Sequence, residues 1–571
     1  MMIFRLNMPL VYQDRLVRNY KPLLYLRLPE SRNGKKRKIT GNIVKMQDIV
    51  NLMIQKLMKC VIFMLSCIVT PFLKLQYFKK RKRIPAIKNQ LLLISATEIA
   101  RQIRKKVISS EEVVRAYVER CTDVNPVINA IVDSRFNAAI QEAQEVDKLL
   151  ASTTKTEEEL AHETPFLGVP ITVKESFAVE GMSYMVGVKK KSSQKATENA
   201  SVVSLVRKAG AIVLLVSNTP ELCLNWETNN KVTGTTKNPY DTRKTPGGSS
   251  GGEAALISSA ASIAGIVSDI AGSARLPAMF CGVFGHRPTS GLVSAEGHRP
   301  YSHDESFTVY YTPGAMVRYA EDLSLMMRIM CRSEETRKKF EQKVCLKDIK
   351  FYYLEDCCVI TNSINKDVKQ AMKKLRTYIE TTYGFKVEKA RLPAMEFALN
   401  ISAFMLSINL DDINDDIECV GSSKCLLEEL KCLCGISQNT LSSVTYATLK
   451  WIYHKLPGSY QVVFAKTEEL KKQFEELLGD NGVLIYPTFV SSAYYANESY
   501  MNIPNFMYLT IANVLGIPAT HCTMGLDKQG LPVGLQIMAN TGNDHLTIAV
   551  AKEIDEVFGG WQPPPMIELQ L

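Results

Sequence analysis

Short apolar segments alternating with helical ones predict an α/β fold on a large mixed, twisted sheet with parallel strand pairs and helices on both sides. Three observations carry that expectation. Strand-like apolar runs occupy 171–173, 211–216, 263–267, 483–486 and 533–537. A helical pattern fills 200–209, directly before the second run. No internal repeat or low-complexity linker divides residues 91–571, which therefore read as one domain.

Ahead of that domain, residues 1–50 read as an irregular basic extension, with Lys35-Lys36-Arg37-Lys38 as its densest run. Residues 51–90 read as a membrane anchor with a basic flank. The uncharged run Cys60 to Leu73 lies between Lys59 and Lys74 and is followed by Lys79-Lys80-Arg81-Lys82-Arg83. Its 14 residues fall short of the roughly 20 that cross a bilayer. Leu57, Met58, Leu75 and Tyr77-Phe78 extend it when the flanking lysines snorkel outward. The cationic cluster suits an anionic cytosolic leaflet. Lys and Arg are denser after the run than before it, which places the body in the cytosol beneath an intracellular membrane.

Charge and cysteine usage narrow the function classes. Residues 1–90 hold 20 Lys/Arg against Asp14, Glu30 and Asp48, so a net charge of +11 leaves the body at −6. A nucleic-acid binder would carry its basic patch on the folded body. The 14 cysteines have neither disulfide nor zinc spacing; Cys357-Cys358 are adjacent and Cys432-Leu433-Cys434 is too tight. With 7 histidines and no His-x-x-x-His pair, no metal is expected.

The domain opens with two helices. Ser95-Ala96-Thr97-Glu98 has the form of a capping box, and Ile99, Ile103 and Val107 recur at helical spacing. Ser109-Ser110-Glu111-Glu112 starts a second helix with Val113, Val114, Tyr117 and Val118 on its apolar face.

Three later segments carry chemistry. In Gly168-Val169-Pro170-Ile171-Thr172-Val173-Lys174-Glu175, alternation puts Val169, Ile171 and Val173 on one face and Thr172 and Lys174 on the other. A lysine ending a buried strand is desolvated, which favours the neutral amine, a base near neutral pH. Alone, the segment is a weak signal, because a lysine after a strand is usually just solvated. The turn Pro246-Gly247-Gly248-Ser249-Ser250-Gly251-Gly252 precedes an Ala/Ser-rich helix. It matches the Gly-x-Ser-x-Gly elbow of α/β-hydrolases, but the polar stretch Asn238 to Lys244 stands where that elbow needs a strand. A capped loop is the simpler reading of this turn by itself. Asp269-Ile270-Ala271-Gly272-Ser273 follows an apolar strand directly. A tight turn there would aim successive N–H groups at one point, as an oxyanion hole requires, with Ser273 at its edge, although by itself the segment reads more simply as an ordinary strand-to-helix turn.

Together these segments resemble the amidase signature family, serine hydrolases with a Ser–Ser–Lys triad, and within it the membrane-anchored fatty-acid amide hydrolases. Cys281-Gly282 through Arg287-Pro288-Thr289 and Leu531-Pro532-Val533-Gly534-Leu535-Gln536 extend the likeness, which runs from about Ile94 to the C-terminus. It implies the amidase fold, Lys174 as base, Ser249 as bridging serine on a cis peptide and Ser273 as nucleophile. It also implies an oxyanion hole from the N–H groups of Ile270, Ala271, Gly272 and Ser273, and no cofactor. The implied reaction is hydrolysis of the amide bond of apolar acyl amides through an acyl-enzyme. Implied partners are a small-molecule lipid amide and a membrane, not nucleic acid, and a homodimer is compatible with the resemblance. The family includes soluble amidase subunits of tRNA amidotransferases, a role the anchor argues against.

The chain departs from the family at Ala271, where the related turn has a glycine, at Ala274, at Met182-Ser183-Tyr184-Met185 and at Ala315. Two adjacent glycines in the related turn suggest a left-handed residue at 271, where a Cβ costs about 1 kcal/mol. On that expectation the enzyme is slowed. The rival reading is a membrane-tethered amidase-fold binder of lipid or partner whose turn has drifted at Ala271.

Overall fold

The computed structural model describes residues 34–564, apart from 77, 79–80, 305, 408–415, 418–421 and 456–459. Residues 1–33 of the N-terminal extension, Tyr77 of the apolar run, and Lys79 and Lys80 of the basic cluster thus lie outside the described residues. The chain divides into two compact units, Met1–Met58 and Lys59–Leu571.

Helix α1 spans Gly34–Gln76. Residues 34–50, expected to be irregular, are therefore helical. Between Gly34 and Pro71 there is no proline, and Ile39, Ile43, Met46 and Val50 recur at spacings of four, three and four. The portion Gln55–Gln76 has 22 residues, long and apolar enough to cross a membrane at about 1.5 Å per residue. Phe63, Ile68, Phe72 and Leu75 are exposed along it.

The strands are β1 (Ile131–Ser134), β2 (Pro170–Lys174), β3 (Ile212–Ser217), β4 (Asn229–Asn230), β5 (Gly234–Thr235), β6 (Ala264–Asp269) and β7 (Phe284–Arg287), then β8 (Thr312–Val317), β9 (Lys350–Tyr353), β10 (Glu388–Lys389), β11 (Gly482–Pro487), β12 (Ala519–Leu526) and β13 (Pro532–Ala539). Eleven form one sheet in the order β1-β3-β2-β6-β8-β7-β12-β13-β11-β9-β10, and β4 and β5 pair separately. Strand β2 runs parallel to β3 and β6, and β9 parallel to β10 and β11. The other pairings in this sheet are antiparallel. The sheet is mixed, as expected.

Every residue of β2, β3, β6, β8, β11 and β13 is buried. Successive side chains point to opposite faces, so both faces of the sheet are covered. That is why Ile212-Val213-Leu214-Leu215-Val216 is continuously apolar rather than alternating. Strands β1, β2, β3, β6, β7 and β8 build one half of the sheet and β9 to β13 the other, joined among the described residues by the β7–β12 pairing.

Helices α2 (Ala96–Arg104) and α3 (Ser110–Ile128) begin where their caps predict. Ser95 accepts from the Glu98 N–H, but Glu98 does not return the bond; its carboxylate takes Arg101 and Gln102 instead. A guanidinium on the same face is a stronger donor than the cap amide, so only half of the capping box forms. Helix α4 (Ser201–Lys208) fills the predicted stretch before β3.

Candidate active site

The parallel strands β2, β3 and β6 bring their carboxyl ends to one place, the usual location of sites in α/β sheets. Lys174 is the last residue of β2 and pairs with Ser217, the last of β3. It is fully buried. Its Nζ donates to Ser249 Oγ at 2.6 Å and to Ser268 Oγ at 2.8 Å. Burial pushes its pKa below the ordinary lysine range, against the opposing pull of Cys223, Asp269 and Glu253. A neutral amine has a lone pair to offer. Sequence reading missed Ser268; the available signal was a single hydroxyl inside the apolar run Ile266-Val267-Ser268.

The Ser249 turn is pinned on several sides. The Gly248–Ser249 peptide is cis. A Cβ at Gly248 would lie 2.7 Å from the Asn225 carbonyl oxygen and the Glu227 nitrogen, so only glycine fits. Thr219 Oγ1 donates to the Ser249 carbonyl at 3.2 Å, and Thr228 Oγ1 to the Gly247 carbonyl at 2.8 Å. Helix α5 (Gly251–Ser258) follows, buried along its whole length. A loosely capped loop does not describe this segment.

The second turn, between β6 and α6 (Arg275–Cys281), is built around Asp269. Its carboxylate accepts from the Gly272 N–H at 2.7 Å, the Ala274 N–H at 3.1 Å and Asn513 Nδ2 at 2.9 Å. It is paired with Arg275, Nε–Oδ2 3.0 Å and Nη2–Oδ1 3.1 Å, both side chains fully buried. Burial works to raise the Asp269 pKa, but the adjacent Arg275 charge and these donors hold it well below the carboxylate range. Arg275 also reaches the Leu509 carbonyl at 2.9 Å and Gln536 Oε1 at 2.8 Å.

Two expectations for this turn are corrected. Left-handed backbone falls at Gly272, with φ +94°, where a Cβ would meet Leu509 Cβ at 2.5 Å. Ala271 does not have positive φ, because the bend is made one residue later. Second, the Gly272 N–H, expected in the oxyanion hole, is committed to Asp269, since the same bend turns it inward. Among the described residues the N–H groups of Ile270, Ala271 and Ser273 donate to no protein acceptor. Trp226, also missed in the sequence, donates Nε1–H to the Ala271 carbonyl at 2.8 Å.

The Ser250 N–H donates to the Ser273 carbonyl at 3.3 Å, tying the two serine turns together. Ser273 is 5% exposed. Its hydroxyl has no hydrogen-bond partner among the described residues, so the Lys174–Ser249 contact is made and a Ser249–Ser273 bond is not. Among the described residues no group of three or more His, Cys, Asp or Glu side chains could hold a metal ion.

Residues 112–548 match the model of the family described as Amidase. The chain belongs to that family. This amidase is 38% identical over 483 residues to fatty-acid amide hydrolase 2 of Homo sapiens, covering 83% of this chain and 91% of that protein. It is 36% identical over 497 residues to fatty-acid amide hydrolase 2-B of Danio rerio, covering 86% and 94%. A solved structure of a fatty acid amide hydrolase superposes with a TM-score of 0.66 at 22% identity, covering 82% of this chain and 86% of that one, which supports the fold. The amidase is thus an enzyme of amide-bond hydrolysis, as the resemblance implied.

Proposed function

We propose that this enzyme hydrolyses apolar acyl amides, of the fatty-acid amide class, through Ser273 as nucleophile, Ser249 as relay and Lys174 as base. The observation that carries this reading is the 2.6 Å contact between the fully buried Lys174 Nζ and Ser249 Oγ, on a turn bonded to the Ser273 backbone. Neutral Lys174 takes a proton from Ser249 as Ser249 takes one from Ser273 and Ser273 Oγ attacks the carbonyl carbon. A hydroxyl rotates freely, so Ser273 aligns with Ser249 when substrate arrives. The N–H groups of Ile270, Ala271 and Ser273 receive the oxyanion, while Gly272 gives its N–H to Asp269 and makes the bend. The proton returns through Ser249 to the leaving amine, and water repeats the sequence on the acyl-enzyme to free the acid.

The acyl class rests on the fatty-acid amide hydrolase relatives and on the apolar portion of α1. We assign that portion as a single membrane anchor with the body in the cytosol. Against the non-catalytic reading stands the backbone at Ala271, which does not have the positive φ that a Cβ disfavours. A fluorophosphonate probe tests the nucleophile, followed by a panel of amides of graded chain length. Covalent labelling at Ser273 with turnover that rises with acyl length is expected; folded protein that takes no label at Ser273 refutes the reading.

A further inference from the structure

We propose that Trp226 is a positioning residue for the reaction, fixing the Ala271–Gly272 peptide so that the flanking N–H groups converge on the oxyanion. This rests on the assignment of the oxyanion turn made above. A peptide unit is planar and carries two hydrogen-bonding groups, one at each edge. Here both are held. The carbonyl oxygen of Ala271 accepts from Trp226 Nε1–H at 2.8 Å, and the N–H of Gly272 donates to Asp269 Oδ1 at 2.7 Å. A plane held at opposite edges cannot rock about the line joining its Cα atoms. The N–H vectors of Ala271 and Ser273 belong to the adjoining peptide planes, and the held plane removes one source of freedom in their directions.

The two holding groups are themselves braced, both in part by the continuous segment from Glu498 to Leu515. Asp269 is locked by Arg275 and by Asn513 of α7 (Met507–Leu515). The Trp226 ring stacks on Phe506, centroids 3.8 Å apart at an 8° interplanar angle. Phe506 closes the 3-10 stretch Glu498–Phe506. The start of that stretch is tied to the residue after Trp226, because the Glu227 carboxylate accepts from the N–H groups of Asn497 at 2.8 Å and Ser499 at 3.0 Å. The indole is a donor only and presents one N–H in the ring plane, so the stack determines where that proton points. Trp226 is only half-buried.

Donors aligned on developing charge act on the transition state more than on bound substrate. Loss of the Nε1–H should therefore lower kcat and leave KM nearly unchanged. The test is Trp226→Phe, which keeps a ring for the stack and removes the donor. Rates are expressed per active site titrated with fluorophosphonate, so a misfolded fraction does not count. The expected result is a fall of about tenfold in kcat with KM within twofold. The affinity for a long-chain trifluoromethyl ketone, which forms a tetrahedral oxyanion on a serine, should fall by the same factor as kcat/KM.

A kcat per titrated site within twofold of wild type, or an unchanged ketone affinity, overturns the proposal. Should Trp226→Phe fail to fold, Phe506→Leu leaves the donor but loosens its brace. A smaller kcat loss at constant KM supports the proposal there, and an unchanged kcat overturns it. Absence of Ser273 labelling in the wild-type enzyme would instead refute the proposed function itself.

Discussion

Replacing Ala271 by glycine should leave catalysis unchanged and weaken the fold slightly. The left-handed turn residue is Gly272, at φ +94°, and Ala271 does not share that conformation. Glycine at 271 therefore relieves no strain. It removes a methyl that is 5% exposed, a loss of about 0.8 kcal/mol of apolar burial. It also adds chain entropy to the unfolded state, costing about 0.5–1 kcal/mol. The sum is about 1.5 kcal/mol. A unit of about 500 residues has an unfolding entropy near 1 kcal/mol per kelvin, so Tm should fall by only about 1–2 °C. The assay is steady-state hydrolysis of a long-chain acyl amide in detergent, with thermal unfolding of the same preparations. A rise of threefold or more in kcat at constant KM would refute the reasoning, because it would mean that the alanine methyl misaligns the donors.

Ser273→Ala should cost on the order of 10³-fold or more in turnover, read by the same assay. Activity should rise with pH as Lys174 deprotonates, its pKa lying below the ordinary lysine value, and Lys174→Ala should abolish that limb of the pH–rate profile. Asp269→Asn leaves the buried Arg275 without its counter-charge and should destabilise the fold by about 3–5 kcal/mol in denaturant titration. Because the folded Asp269 pKa is depressed, its stabilisation is full above the ordinary carboxylate range and is lost as pH falls towards the folded value. The acid side of a Tm–pH curve should therefore be flatter in Asp269→Asn than in wild type. In sealed microsomes, protease added outside should digest the catalytic body, and protection would overturn the cytosolic placement.

What could be read from the sequence was whatever is written in neighbouring residues. The runs at 171–173, 211–216, 263–267, 483–486 and 533–537 fall inside or within one residue of β2, β3, β6, β11 and β13, because fully buried strands need unbroken apolar residues. Lys174, Ser249 and Ser273 stood out because each sits beside a strand or glycine turn. What could not be read lies between distant segments. Trp226 meets Ala271 from 45 residues away, Ser268 meets Lys174 from 94, and Asn513 meets Asp269 from 244. No local pattern marks these partners. The backbone at Ala271 was misjudged for a related reason: two adjacent glycines do not say which of them carries the bend.

The division of the sheet has a consequence for how the enzyme comes into being. Ser273 and Asp269 belong to the half made first, whereas Leu509, Asn513 and Gln536, which hold the Asp269–Arg275 pair, belong to the half made last. On a ribosome Ser273 emerges more than 200 residues ahead of Leu509, Asn513 and Gln536. The bonds that brace this turn can therefore form only once nearly the whole chain has been made and β7 has paired with β12.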